Sequence, residues 1–301
     1  MNFKNYLIKS PQERLTIFLE SLSITNRTPE YYVNWNKVNR ETKKYELELN
    51  TLNYLIGKDD IYSEALHLFT KQPNLLKAIP SLIASRDKVL DVLTIDENDN
   101  MSFEQLDFKT IDTSRIDDYM KFIEQSGLLN FLQQHANRSL VDYVYGVETG
   151  LDSNARKNRS GTTMEGILER HVAKISQEQK LEWKSQATAQ FIKDKWGIKV
   201  PVDKSERRFD VAVYSREKHK VWLIETNYYG GGGSKLKAVA GEFTELSQFV
   251  ITSDDDVEFV WVTDGQGWKT AHLPLAEAFS HITNVFNLEM LREGFLADLF
   301  L

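Results

Sequence analysis

Two carboxylates stand in stretches otherwise rich in apolar residues. Asp210 lies in RFDVAVYS and Glu225 in KVWLIETNYY, and the short charged SREKHK joins the two. Both stretches alternate as strands do, so a hairpin is the simplest connection. With the turn centred on Glu217 and Lys218, positions 210 and 225 face each other. Cross-strand partners lie about 4.5–5.5 Å apart at Cβ, and two ionised carboxylates that close repel unless a cation sits between them. Asn227 shares the face of Glu225 one pleat further on. Oxygen ligands at this spacing suit a hard divalent ion such as Mg²⁺, which keeps several waters. The simpler alternative pairs Asp210 or Glu225 with Arg207, Arg208 or a lysine at the sheet edge.

Four glycines, residues 230–233, lead from the second strand into Ser234, Lys235, Leu236 and Lys237. The Walker pattern fails, because Ser precedes Lys and the Gly-to-Lys spacing is wrong. A usable G-x-G-x-x-G is also absent. A slack linker fits poorly, since a connection of four or five residues between strand and helix is ordinary. Lys235 and Lys237 occupy the first turn of the following helix, where the macrodipole disfavours cations by about 0.3–1 kcal/mol each. A phosphate on the free amides and both ammonium groups reverses that cost. This favours an anion site, with DNA backbone preferred over nucleotide; lysines that merely tolerate a weak cost are the alternative.

These groups need elements to hold them. TMEGILERHVAKI places Met164, Ile167, Leu168, Val172 and Ile175 on one helical face. Thr162 and Glu165 have capping-box spacing at its start, which explains Glu165 without chemistry; a metal or water-positioning role is the rival reading. Upstream, the polar segment 152–161 reads as a loop carrying Arg156, Lys157, Asn158 and Arg159. Such donors suit guanine, adenine and phosphates, although contacts to the DNA backbone alone would serve equally. VEFVWVTD reads as a buried strand and TDGQGW as a turn, with Gln266 either a base contact or a plain turn residue.

Residues 1–148 read mostly as helices, with Ala65, Leu68, Phe69, Leu75, Leu76 and Ile79 facing a core and Pro73 and Pro80 as breaks. The order helix, hairpin, helix, strand, helix in residues 149–301 predicts an α/β domain with a mixed sheet behind a helical N-terminal domain.

Composition narrows the function classes. The 301 residues include no cysteine, which excludes disulfides, thiolate metal sites and cysteine nucleophiles. No apolar run reaches the ~18 residues that span a bilayer, and MNFKNYLIKSPQERL lacks a signal peptide's apolar stretch; a cytoplasmic protein without a membrane partner is expected. The net charge of −7 argues against nonspecific coating of nucleic acid, yet a local basic cleft can still supply phosphate contacts. The acidic runs Asp254–Asp256 and Asp96–Asp99 read as solvated loops.

Asp210, then Glu225-Thr226-Asn227 on the next strand, behind a helix bearing Glu165, resembles the PD-(D/E)xK nuclease core. The segments LVDYVYGVETGLDSNARKNRSGTTME, RFDVAVY, LIETNYYGGGGSKLKAVAGEF and FVWVTDGQGW, in that order, make the chain similar to the DpnII/MboI family of type II restriction endonucleases, which cut at GATC. That resemblance implies Mg²⁺ on Asp210 and Glu225, with Glu165 completing the acidic set. It also implies double-stranded DNA as substrate, a homodimer on a palindromic site, and a cognate adenine methyltransferase as functional partner. The lysine of the general motif is replaced by Asn227, and Lys235 is the nearest substitute. A catalytically inactive sequence-specific DNA-binding protein and a structure-specific repair nuclease are the competing readings.

Overall fold

The computed structural model describes residues 2–95, 99–137, 139–201 and 207–301, apart from the side chain at 157. They form two compact units, one of residues 1–29 with 157–301 and one of residues 30–156. Seven strands are described, β1 Val89–Ile95, β2 Met101–Asp107, β3 Glu182–Thr188, β4 Arg208–Ser215, β5 Lys220–Tyr228, β6 Asp256–Asp264 and β7 Asn284–Phe286.

The first unit is built on a mixed sheet in the order β3-β4-β5-β6-β7, as the α/β expectation required. β4 is antiparallel to both β3 and β5, whereas β5, β6 and β7 run parallel. Central strands of such a sheet are covered on both faces and read as continuous apolar runs. Accordingly Val221, Trp222, Leu223 and Ile224 are all buried, as are Val211, Ala212 and Val213. The apparent alternation in these segments therefore marks no solvent face. Met164, Leu168, Val172 and Ile175 of the Arg156–Gln179 helix share the core of this sheet.

The first 29 residues, read above as part of the helical N-terminal domain, pack in this unit. Phe3, Tyr6, Leu15 and Phe18 enter its core. The Tyr6 hydroxyl donates to the Val285 carbonyl at 3.0 Å, and Arg14 donates to the carbonyls of Thr283 (2.5 Å) and Phe279 (3.2 Å). Asn287 Nδ2 reaches the Phe18 carbonyl at 3.0 Å. Ser10 and Glu13 form a reciprocal capping box, with Pro11 in the first turn, that starts the Pro11–Glu20 helix. Amphipathic periodicity specifies a buried face but not which partner covers it, which is why the placement was not legible.

The second unit has its own core, including Leu49, Leu52, Ala65, Phe69, Leu75, Leu76, Ile79, Ile123 and Leu129. Pro73 and Pro80 stand at breaks between helical segments, as first-turn residues of Pro73–Ala78 and Ile79–Leu82, after the Ile61–Lys71 helix has ended. This unit also contains the antiparallel β1–β2 hairpin, in register through Leu93↔Phe103 and Leu90↔Leu106, which the mostly helical reading did not single out. Asp96 of the acidic run lies outside the described residues.

Candidate active site

The β4–β5 hairpin has the register that the turn position predicted. Val211 pairs with Ile224 and Ser215 with Lys220, which leaves residues 216–219 as the turn. One step beyond the last paired rung brings Asp210 opposite Glu225. Asp210 Oδ2 accepts the backbone N–H of Thr226 at 2.8 Å, and Oδ1 accepts Gln186 Nε2 at 3.4 Å.

Burial raises the Glu225 carboxyl to about 9, and the Asp210 charge adds to the effect while the Arg207 guanidinium opposes it. Asp210 is also raised by burial, against the hydrogen bonds from Thr226, Glu225 and Gln186. Both shifts run in the direction expected of close carboxyls that disfavour ionising together. Glu165 on the Arg156–Gln179 helix joins the same electrostatic group, its carboxyl raised by burial and by the charges of Asp210 and Glu169.

A cation between the two carboxylates would relieve the same repulsion. Among the described residues no set of three or more His, Asp or Glu side chains is arranged to cage an ion alone. Mg²⁺ does not require such a cage, because it typically uses one or two carboxylates together with waters and substrate phosphates. The hard oxygen donors and the raised proton affinities of Asp210 and Glu225 fit this ion. Arg207 supplies a partial counter-charge, with Nη1 3.5 Å from Glu225 Oε1 and Nη2 2.9 Å from Glu242 Oε1. The pairing of Glu225 with Arg207, weighed above as the simpler reading, therefore coexists with the carboxylate pair.

The glycine run packs against the turn after β6. The Tyr229 N–H donates to the Asp264 carbonyl at 2.9 Å, and the Gly267 N–H donates to the Tyr229 carbonyl at 2.8 Å. A side chain at Gly265, whose φ is +107°, would collide with the Tyr229 carbonyl, and one at Gly267 would collide with that of Gly231. Glycine is needed here for close backbone approach. The Ser234–Val250 helix then begins with no side-chain cap.

The model of the DpnII restriction endonuclease family matches residues 14–298. The chain belongs to the DpnII restriction endonuclease family. It is 75% identical over 300 residues to the type II restriction enzyme LlaDCHI of Lactococcus lactis subsp. cremoris, covering 100% of this chain and 99% of that relative. It is 37% identical over 282 residues to MboI of Moraxella bovis, covering 94% of each chain. DpnII of Streptococcus pneumoniae is 32% identical over 273 residues, covering 89% of this chain and 92% of the relative.

Within this family member the other candidate residues are dispersed. Asn227 Oδ1 accepts the Thr263 hydroxyl at 2.5 Å, and Thr263 in turn accepts the Trp268 indole N–H at 2.8 Å. The side chain in the motif-lysine position is thereby pinned to β6. Lys235 and Lys237 are both exposed, and among the described residues no hydrogen bond or ion pair ties Lys235 to the carboxylates. Lys237 borders a cleft of about 630 Å³ whose walls also carry Glu245, Glu277 and His281, so its surroundings are of mixed charge.

Two local readings change. The segment 152–161 is not a loop: one helix ends at Ser153 and the Arg156–Gln179 helix starts almost at once. Thr162 is therefore interior, and its hydroxyl donates back to the Asn158 carbonyl at 3.2 Å instead of forming a capping box with Glu165. Arg156 Nε donates to the Tyr32 carbonyl at 3.1 Å, Asn158 is exposed and Arg159 is half-buried; the Lys157 side chain lies outside the described residues. Gln266 Nε2 donates to the carbonyls of Leu22 (2.9 Å) and Ser23 (3.2 Å), so its amide nitrogen is committed inside the fold.

Sequence reasoning missed Glu169 and Gln186. Glu169 lies one helical turn beyond Glu165, and that i, i+4 spacing was a readable signal. Gln186 has φ +50°, a left-handed conformation that costs a non-glycine residue about 1–2 kcal/mol. Nothing in the segment EWKSQAT announces it.

Proposed function

We propose that this protein is a Mg²⁺-dependent endonuclease that hydrolyses both strands of double-stranded DNA at GATC, acts as a homodimer in the cytoplasm, and is matched to an adenine methyltransferase that protects host sites. The observation that carries this reading is the Asp210–Glu225 pair on adjacent antiparallel strands, Glu225 buried and Asp210 half-buried, both of raised proton affinity. Family membership supports the restriction function, and the resemblance to the DpnII/MboI pattern supports GATC. A palindromic site cut on both strands calls for a two-fold dimer with one centre per strand.

In this reading the β4–β5 hairpin is a PD-(D/E)xK nuclease core, with Asp210 and Glu225 as the residues that would hold Mg²⁺. The ion, when bound, would lower the pKa of an attacking water and offset charge on the scissile phosphate. The Thr226 N–H orients Asp210 Oδ2. Glu225, whose carboxyl burial pushes up to about 9, would have to give up its proton to hold a cation. Glu165, whose carboxyl is raised by burial and then by the charges of Asp210 and Glu169, would position water. Asn227, with its oxygen occupied by Thr263, retains its Nδ2 amide to donate to water or phosphate. Lys235, exposed at the start of the helix after the glycine run, would stand in for the motif lysine, and Lys237 would meet the DNA backbone. Arg156, Lys157, Asn158, Arg159 and Gln266 remain DNA-contact proposals; for Gln266 the contact requires release of the Leu22 and Ser23 carbonyls. The helical unit serves DNA binding, dimerisation or both.

The test is incubation of purified protein with unmethylated and adenine-methylated plasmid, with Mg²⁺ or with EDTA. Discrete GATC-ended fragments from unmethylated DNA only, and only with Mg²⁺, are expected. Nicks at DNA structures would favour a repair nuclease, and intact but gel-shifted DNA would indicate a binding protein without activity.

A further inference from the structure

The β3–β4 ladder pairs Ser185 with Val211 and Ala187 with Phe209, and the rung between them, Gln186 with Asp210, is left out. Gln186 occupies that gap with φ +50°, in the left-handed region that favours glycine. Its side chain is exposed, so core packing does not account for it. Its Nε2 points instead at Asp210 Oδ1, 3.4 Å away. The Asp210 carboxylate is thus held from two sides, by the Thr226 N–H of β5 on Oδ2 and by the Gln186 amide of β3 on Oδ1. Backbone strain kept at a site, with a side chain aimed at a candidate reacting group, is characteristic of function rather than of folding. The bond is long, as hydrogen bonds around reacting groups often are before substrate arrives.

We propose that Gln186 is a positioning residue: the distorted β3 backbone exists to deliver its amide to Asp210 Oδ1, fixing the orientation in which that carboxylate meets the divalent ion. The proposal rests on the reading of Asp210 and Glu225 as the hydrolytic centre. Hydrogen-bond partners of ligating carboxylates typically change metal affinity or activity by about 10–100-fold when removed.

The experiment uses the full-length chain with Gln186→Gly, which relieves the backbone strain while deleting the amide, and Gln186→Asn, which tolerates left-handed φ but is one methylene shorter. Two readouts are taken: kcat and KM on a GATC duplex, and the Mg²⁺ midpoint for the rise in melting temperature without DNA. In both variants kcat should fall about 10–100-fold with KM unchanged, and the Mg²⁺ midpoint should rise by a similar factor. The metal-free melting temperature should hold or increase in Gln186→Gly. Wild-type kcat and midpoint in both variants would overturn the proposal. So would a melting temperature depressed by more than about 10 °C in both, because that would assign Gln186 to the fold. Asp210→Asn is the control that separates the two readings. If it cleaves normally, the hydrolytic centre itself is misassigned; if it is inactive while the Gln186 variants are normal, only the role of Gln186 fails.

Discussion

Arg207 Nη1 stands 3.5 Å from Glu225 Oε1, and both side chains are almost fully buried. The guanidinium is a positive charge that opposes the burial and the Asp210 charge otherwise forcing this carboxyl towards protonation. Arg207→Met should therefore raise the proton affinity of Glu225 further and destabilise the fold by about 1–3 kcal/mol, the usual cost of stranding a buried polar partner. Urea unfolding at neutral pH, with and without Mg²⁺, measures this, and Mg²⁺ should recover part of the loss.

The same carboxyl sets a pH dependence. Its ordinary value of 4.5 is raised to about 9 in the fold, so the native state keeps a proton that the unfolded chain releases between those limits. Stability from Glu225 is thus complete below pH 4.5 and is lost as pH rises towards about 9. Asp210, Glu242 and Arg207 face the same group and move the midpoint without changing this sign. Glu225→Gln should melt increasingly above wild type as pH climbs through that window. Mg²⁺ should close the gap by stabilising wild type alone. A gap that shrinks with rising pH would refute the assignment.

The glycines near the site differ sharply in what they tolerate. Gly265→Ala places a methyl group against the Tyr229 carbonyl at a φ of +107°, whereas a Cβ at Gly231 meets open space. Gly265→Ala should cost more than about 2 kcal/mol, and Gly231→Ala should stay within about 0.5 kcal/mol of wild type. Thermal melts of the two variants check this directly.

Lys235 and Lys237 are exposed in the first turn of an uncapped helix. If each meets one backbone phosphate, each alanine substitution should lower the slope of log K against log salt by about 1 for any DNA sequence. An unchanged slope in the double variant would place the DNA elsewhere.

How far the sequence could be read follows from the same residues. The Asp210–Glu225 register was legible because period-two patterning and a short charged turn leave little freedom in a hairpin. β3 was not legible: Glu182, Lys184 and Gln186 make it polar, as suits a strand at the sheet edge. The Thr162–Glu165 spacing misled because the same three-residue interval occurs throughout helix interiors, and Thr162 bonds back to Asn158 instead. Gln266 looked free in a turn because a contact to Leu22 spans 244 positions and leaves no local signature. What local pattern governs was readable, and what depends on distant backbone was not.

The central claim is that Asp210 and Glu225 form the hydrolytic centre. Single-turnover cleavage of one GATC duplex by wild type and Asp210→Asn, with binding measured in parallel, tests it most directly. Asparagine keeps an oxygen for the Thr226 N–H and removes the charge, so binding should persist while cleavage falls by on the order of 10²–10³-fold, as expected for losing one group aimed at developing charge. Cleavage by Asp210→Asn at the wild-type rate would contradict the account.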